Sequence, residues 1–242
     1  MKENTVVKSF VTHFILIVIS ILTMYPVLWV LKMAFSKEQG FSTSLAGDYT
    51  FDNFITLFTL IDSEGNLLMI RQFWNSIFVS VLSAVIGLIL STSAAYAFSR
   101  FNFFGKQAGM KSMLITQMFP GVLVIIPLYL ILDTIGLLNS MWGLILVYST
   151  TSVPFSIFML KGYFDTIPKE IEEAAIMDGA SQFTIFIKII VPLSRPAIAI
   201  TGLFSFMTAW NEFILAATFM SHEKQYTVLV MLQSFVCEYN NQ

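Results

Sequence analysis

Residues 73–99 read FWNSIFVSVLSAVIGLILSTSAAYAFS, a run without one charged side chain, flanked by Arg71 and Arg100. A hydrocarbon core about 30 Å thick is crossed by about 20 helical residues, so the run is long enough to span a bilayer as one helix. Ser83, Gly87, Ser91 and Ala95 recur every four residues along it. That spacing lines up small side chains on one face, which lets a second helix approach closely, and packing is favoured over pore lining.

Four further apolar runs of similar length occupy residues 10–31, 110–132, 141–160 and 196–219, each bracketed by charged or polar residues. The expected fold is therefore all-α, a polytopic integral membrane helical bundle with five spans. Composition agrees: 56% of the 242 residues are hydrophobic and only 12% charged, and the mean hydropathy is +0.77, outside the balance of a water-soluble domain. The first run is longer than a secretory signal core and lacks a small-residue cleavage site after it, so it reads as a retained span.

Several function classes are disfavoured. A single cysteine, Cys237, rules out an intramolecular disulfide framework and a multi-cysteine metal site. A net charge of -2 with no basic block does not suit nucleic acid. His222-Glu223 lacks the second histidine of a zinc protease, His13 stands alone in an apolar run, and there is no Gly-x-Ser-x-Gly elbow, so no catalytic residue, cofactor or metal site is expected. A Gly-rich phosphate loop is also missing, so any energy from ATP must come from separate chains.

Orientation follows from charge. With a cytoplasmic N-terminus, Lys2, Lys8, Arg100, Lys106, Lys111, Lys161, Lys169, Lys188 and Arg195 lie inside, and Lys32, Lys37, Arg71 and Lys224 outside. Nine of the thirteen basic residues then share the cytoplasmic side, as the positive-inside rule requires. Residues 1–9 become a cytoplasmic N-terminus and residues 32–72 an external linker with Asp48, Asp52, Asp62 and Glu64 in water.

The longest cytoplasmic connection, residues 161–195, is neither apolar enough to span nor polar enough to be disordered. Thr166 is placed to cap a helix that Pro168 opens and that Glu170, Glu172 and Glu173 favour at its positive end. Ile171, Ala174, Ala175 and Asp178 follow at i, i+3, i+4 and i+7, and Gly179 supplies the stop. Ser181 then caps a second short helix through Phe183, Phe186, Ile187 and Ile190, and Pro192 and Pro196 delimit the turn into the fifth span. A thin face of small residues suits a groove in another protein. A membrane-surface helix is the alternative, although such helices usually carry more Lys and Arg and larger apolar residues.

Glu173-Ala174-Ala175, Gly179, Ile189 and Val191-Pro192 together resemble the EAA motif of membrane subunits of ATP-binding-cassette importers, with Val191 where leucine is common. Trp210-Asn211-Glu212-Phe213 and Tyr226-Thr227-Val228 extend the likeness over nearly the whole chain, to permease subunits of carbohydrate importers related to the maltose and maltodextrin transporter, the smaller subunit in particular. The resemblance implies a coupling helix that docks in a cleft of an ATPase subunit through Glu173, Ala174, Ala175, Asp178, Gly179 and Pro192. It also implies a second permease as heterodimer partner, an ATPase dimer, an extracytoplasmic sugar-binding protein, and residence as a multi-pass protein in a bacterial inner (cytoplasmic) membrane. Residues 10–242 then form one permease domain around the 161–195 coupling loop. The family has six spans, and five here imply that the last is missing and that the chain is a fragment or truncated product.

Within the spans, Pro120 beside Gly121, Pro127 and Pro154 are expected to kink helices. Asn211 and Glu212 sit near the outer end of the fifth span, where an ionisable side chain costs about 2.5 to 3.5 kcal/mol at the midplane and less near the interface. Structural hydrogen bonding and contact with a sugar in the translocation path are equally open readings. His222, Gln225 and Tyr226 begin an external segment that by resemblance reaches the binding protein. The expected function is a permease subunit for maltodextrin or a related oligosaccharide. A permease for another sugar or small polar solute is the alternative, ahead of a stand-alone secondary carrier, which would show inverted repeats and charged midplane residues.

Overall fold

A computed structural model describes residues 3–37, 49–61 and 65–239, with side chains from 8 to 234 within those ranges. Lys2, Asp48, Asp62, Glu64 and the terminal Asn240-Asn241-Gln242 lie outside the described residues, as does the side chain of Cys237. The chain forms two compact units, Met1–Leu68 and Met69–Gln242.

In the first unit, helix α1 (Glu3–Ala34) takes in most of the segment expected to be an N-terminal tail and passes through Pro26 without ending. Its large apolar side chains are exposed along its length, as a helix solvated by lipid or by another chain requires. Within the segment expected to be an external linker, the described residues 49–61 include a helix held against the end of α1. The Asn53 side chain donates to the carbonyls of Ala34 and Ser36, both at 3.0 Å, and Phe35 meets Phe51 edge-on at 5.4 Å. These contacts seat helix α2 (Asp52–Thr59) beside the end of α1.

The second unit is built on α3 (Leu68–Arg100), α4 (Lys106–Met118), α5 (Gly121–Thr134) and α6 (Met141–Phe164). It continues through α7 (Glu170–Met177), α8 (Gln182–Ile185), a wide π-helical turn over Phe186–Ile190, and α9 (Val191–Leu193). Then come α10 (Arg195–Trp210), α11 (Ile214–Phe219) and α12 (Val228–Tyr239). Among the described residues three single helices are long and apolar enough to cross a membrane, and up to five spans result if each of two bent pairs counts as one.

One bend, of 78°, separates the stretch Gln182–Leu193 from α10 at Ser194, between Pro192 and Pro196, and the other follows from Pro120. Pro120 has no N–H for the helical ladder and pushes Phe119 into an extended conformation (φ -72°, ψ 131°), so α4 and α5 meet at 103°. Pro127 and Pro154, by contrast, are accommodated inside α5 and α6. The expected run 196–219 is not one helix: α10 stops at Trp210 and α11 restarts at Ile214, with Asn211 and Glu212 at the break.

Ser83, Gly87, Ser91 and Ala95 face inward, the packing role expected from their spacing. A Cβ on Gly87 would lie 2.8 Å from Ser152 Oγ and 3.4 Å from the Ser149 carbonyl of α6. The seam is hydroxyl-rich: Ser83 Oγ donates to the Ile145 carbonyl at 3.4 Å, and Ser156 pairs with Ser205 of α10 at 3.1 Å. Apolar clusters fill the two ends. Val79, Leu144, Tyr148 and Phe219 belong to one, and Ala95, Tyr96, Leu160, Phe164 and Ile185 to the other.

Gly143 marks the tightest turn onto α6, since a Cβ there would stand 2.3 Å from the Leu137 carbonyl oxygen, a backbone atom. Gly143→Ala should lower stability by about 1–3 kcal/mol. Gly162→Ala, in the same helix with nothing within 4 Å, should raise it by about 0.5–1 kcal/mol, as thermal unfolding in detergent would measure.

Candidate functional site

The 161–195 connection folds as helix, elbow and helix. Thr166 does not cap α7; its hydroxyl turns back to the Tyr163 carbonyl at 2.7 Å, and Lys169 occupies the cap position without a side-chain bond. Gly179 does end the helix. At φ +82° it lets its own N–H reach the Ile176 carbonyl (2.9 Å) and Ala180 N–H reach the Ala175 carbonyl (3.0 Å), a Schellman closure that satisfies two terminal carbonyls. Ser181 caps α8 by accepting from Thr184 N–H at 3.2 Å.

Glu173, Ala174, Asp178 and Gly179 are exposed on this element, whereas Ala175 and Pro192 are half-buried, Ala175 against the cluster of Tyr96, Phe164 and Ile185. Met177 and Phe183, on either side of the elbow, are 86% and 74% exposed, which makes them the most prominent apolar side chains of the outer face.

The inner face was not foreseen. Glu172, expected only to favour the helix dipole, is buried and turned toward α3. It forms an ion pair with Arg100 Nε, in which the two side chains are 9% and 7% exposed, and its other oxygen accepts from Tyr96 Oη at 2.9 Å. Arg100 Nη2 also donates to the Ile167 carbonyl at 2.9 Å. Beside this cluster Ser99 Oγ donates to Asp165 at 2.6 Å, and Lys161 pairs with the same carboxylate. Partial burial pushes the Asp165 carboxyl up, but the hydrogen bonds from Lys161 and Ser99 outweigh it and hold the group below its ordinary range. This latch therefore contributes above the unfolded pKa and is lost as pH falls through the lowered one. The signal in the sequence was Arg100 at the end of a span with Glu172 one residue before the motif, but pairing across 72 positions is invisible to local spacing.

At the break between α10 and α11 the Glu212 carboxylate accepts from Leu215 N–H at 3.1 Å, Ala216 N–H at 3.3 Å and Tyr148 Oη at 2.7 Å. It supplies acceptors that the first turn of α11 lacks within its own ladder. Asn211 is exposed, and with Phe204, Thr208 and Ile214 it lines a shallow opening of about 610 Å3. A second cavity of about 590 Å3 lies at the α4–α5 break, lined by Thr116, Gln117, Phe119, Thr150, Thr151 and Leu215. Gly121 and Pro154, both expected at kinks, also line it, whereas Thr116, Gln117, Phe119, Thr150, Thr151 and Leu215 carried no mark in the sequence. Non-helical backbone at membrane depth is tolerated where it lines a wet cavity or is covered by protein, so a cavity at Pro120 is physically consistent.

The segment after α11 is fastened down rather than free. Gln72 Nε2 donates to the Glu223 carbonyl at 2.9 Å, and Asn75 Nδ2 to those of Lys224 and Tyr226 at 2.8 and 3.1 Å. His222 is exposed, and Gln225 and Tyr226 are half-buried.

Bent spans, a small-residue seam and a polar helix–elbow–helix connection describe a multi-pass membrane protein. Residues 87–236 match the family described as the binding-protein-dependent transport system inner membrane component, and the chain belongs to that family. It is 32% identical to the galactooligosaccharides transport system permease protein GanQ of Bacillus subtilis, over 98% of this chain and 83% of that one. With the maltose/maltodextrin transport system permease protein MalG of Vibrio parahaemolyticus it shares 33% identity over 96% of this chain and 83% of the other. A crystal structure of a bacterial ABC transporter that imports the acidic polysaccharide alginate contains a chain with a similar fold, at a TM-score of 0.79 and 26% identity, covering 96% of this chain and 81% of that one.

Glu212→Ala removes the acceptor for two α11 N–H groups and should lower stability by about 1–2 kcal/mol. Tyr148→Phe, which leaves both N–H bonds in place, should cost less, and thermal unfolding of the purified protein compares the two.

Proposed function

We propose that this chain is a permease subunit of an ATP-driven, binding-protein-dependent sugar importer, half of a translocation pathway whose other half is a second permease. A separate ATPase dimer hydrolyses ATP on the cytoplasmic side, where the bias of basic residues puts the N-terminus and the 161–195 connection. The observation that carries the reading is the α7–α9 element. Its inner face is tied to the bundle through Glu172, leaving Glu173, Ala174, Met177, Asp178 and the Gly179 elbow outward. The carboxylates of Glu173 and Asp178 suit basic partners, Ala174 keeps the face thin, and Met177 and Phe183 offer apolar anchors for a groove.

The solute is neutral and hydroxyl-rich, maltodextrin or a related oligosaccharide being the favoured class. This rests on the names of the relatives and on the amide and hydroxyl groups around the two openings, with Asn211 as the exposed contact and Glu212 shaping the break behind it. His222, with Gln225 and Tyr226 behind it, would meet a sugar-binding protein outside.

The test is recovery of a tagged copy from membranes with its co-purifying chains, followed by ATPase assay. An ATPase and a second permease should co-purify, with hydrolysis rising on addition of maltodextrin and binding protein. Recovery without any ATPase would overturn the importer reading, and a complex stimulated only by another solute would replace the sugar. Gly179→Val forces a β-branched residue into a left-handed conformation at a cost of about 1–2 kcal/mol. It should leave hydrolysis while import falls; unchanged uptake in reconstituted vesicles would remove the elbow from the coupling.

A further inference from the structure

Helix α3 is fastened by buried polar side chains at both of its ends. At the start, Gln72, Asn75 and Ser76 are buried and hold residues 223–228, Ser76 Oγ accepting from Val228 N–H at 2.8 Å. At the finish, Tyr96 and Arg100 hold Glu172 of α7. At 1.5 Å per residue the two fastenings are about 40 Å apart.

Between them the one weak point is the Gly87–Ser91 pair, where Ser91 Oγ donates to the Gly87 carbonyl. Of the described helices long enough to cross a membrane singly, α1 contains Pro26 and α6 contains Pro154, while α3 contains no proline. Its one glycine, Gly87, is closed in by Ser149 and Ser152. Sharp kinks arise at proline, at Gly/Ser pairs or at inserted turns, but here α6 packs against the pair and α3 runs unbroken from Leu68 to Arg100. The fastenings are stiff as well: a buried carboxylate held by a guanidinium and a phenol cannot slide as an apolar contact can, because any new register leaves a charge unpaired.

We propose that α3 is a strut that carries displacement between the α7 elbow on one face of the membrane and residues 222–228 on the other. Glu172, Arg100 and Tyr96 are the positioning residues at one end and Gln72, Asn75 and Ser76 those at the other. The strut rests on the importer reading, and it gives binding-protein docking and ATPase closure one shared element.

The experiment uses the complete importer, reconstituted with its second permease, ATPase and binding protein. Tyr96→Phe removes one hydroxyl and keeps the ring against Phe164 and Phe186; Asn75→Ala removes the other end's double donor. Each should raise hydrolysis without binding protein by about fivefold or more and lower sugar imported per ATP. The double variant should be no worse than the more severe single one, because two breaks in one strut do not add. Glu172→Gln and Gln72→Ala repeat the test if either first variant fails to assemble. Unchanged binding-protein dependence, effects that multiply in the double variant, or loss of both activities in proportion to assembled complex would each overturn the strut. A wild-type complex that recruits no ATPase would instead overturn the importer reading, and the strut with it.

Discussion

Inside a bilayer the lipid tails are as apolar as leucine, so helices gain little from burying hydrocarbon against one another and depend on close fit and on hydrogen bonds. The contact of α3 with α6 meets that constraint. Gly87 lets the backbones approach until Ser149 and Ser152 touch it, and the hydroxyls of Ser83, Ser91, Ser149 and Ser152 find carbonyl partners. The apolar clusters at either end close onto this seam.

The acidic side chains divide by what surrounds them. Glu172 and Glu173 are neighbours in sequence, but a helix turns about 100° between successive residues, and the two point to opposite surroundings. Glu172 enters the bundle and is neutralised there by Arg100, while Glu173 stays in water, available to another chain. Glu212 follows a third course, bound to backbone N–H groups where the fifth span breaks. A carboxylate at membrane depth thus has a structural occupation that leaves its neighbour Asn211 as the exposed polar group of that opening.

Much of this was legible in the chain itself. Apolar runs of span length set the all-helical membrane class, and the four-residue recurrence from Ser83 to Ala95 marked the packing face. Gly179 and Ser181 announced the elbow, because a left-handed terminus and a helix cap are local events determined by a few adjacent residues. The motif around Glu173 and Val191-Pro192 points to the family by itself. Where local reasoning failed, it failed on alternatives of similar local cost: Thr166 bonded backward instead of forward, and residues 32–72 acquired a seated helix where a linker was expected.

Sequence alone therefore determined the solvent of the protein, the apolar runs from which its spans are built, and the place of the helix–elbow–helix element, since each follows from composition or from spacing within a few turns. Tertiary structure decided which glutamate is buried, which prolines break a helix and which merely sit in one, and how residues 222–228 are held. Those outcomes depend on partners such as Arg100 for Glu172 and Asn75 for Tyr226, which lie 72 and 151 positions away and meet only when the helices pack.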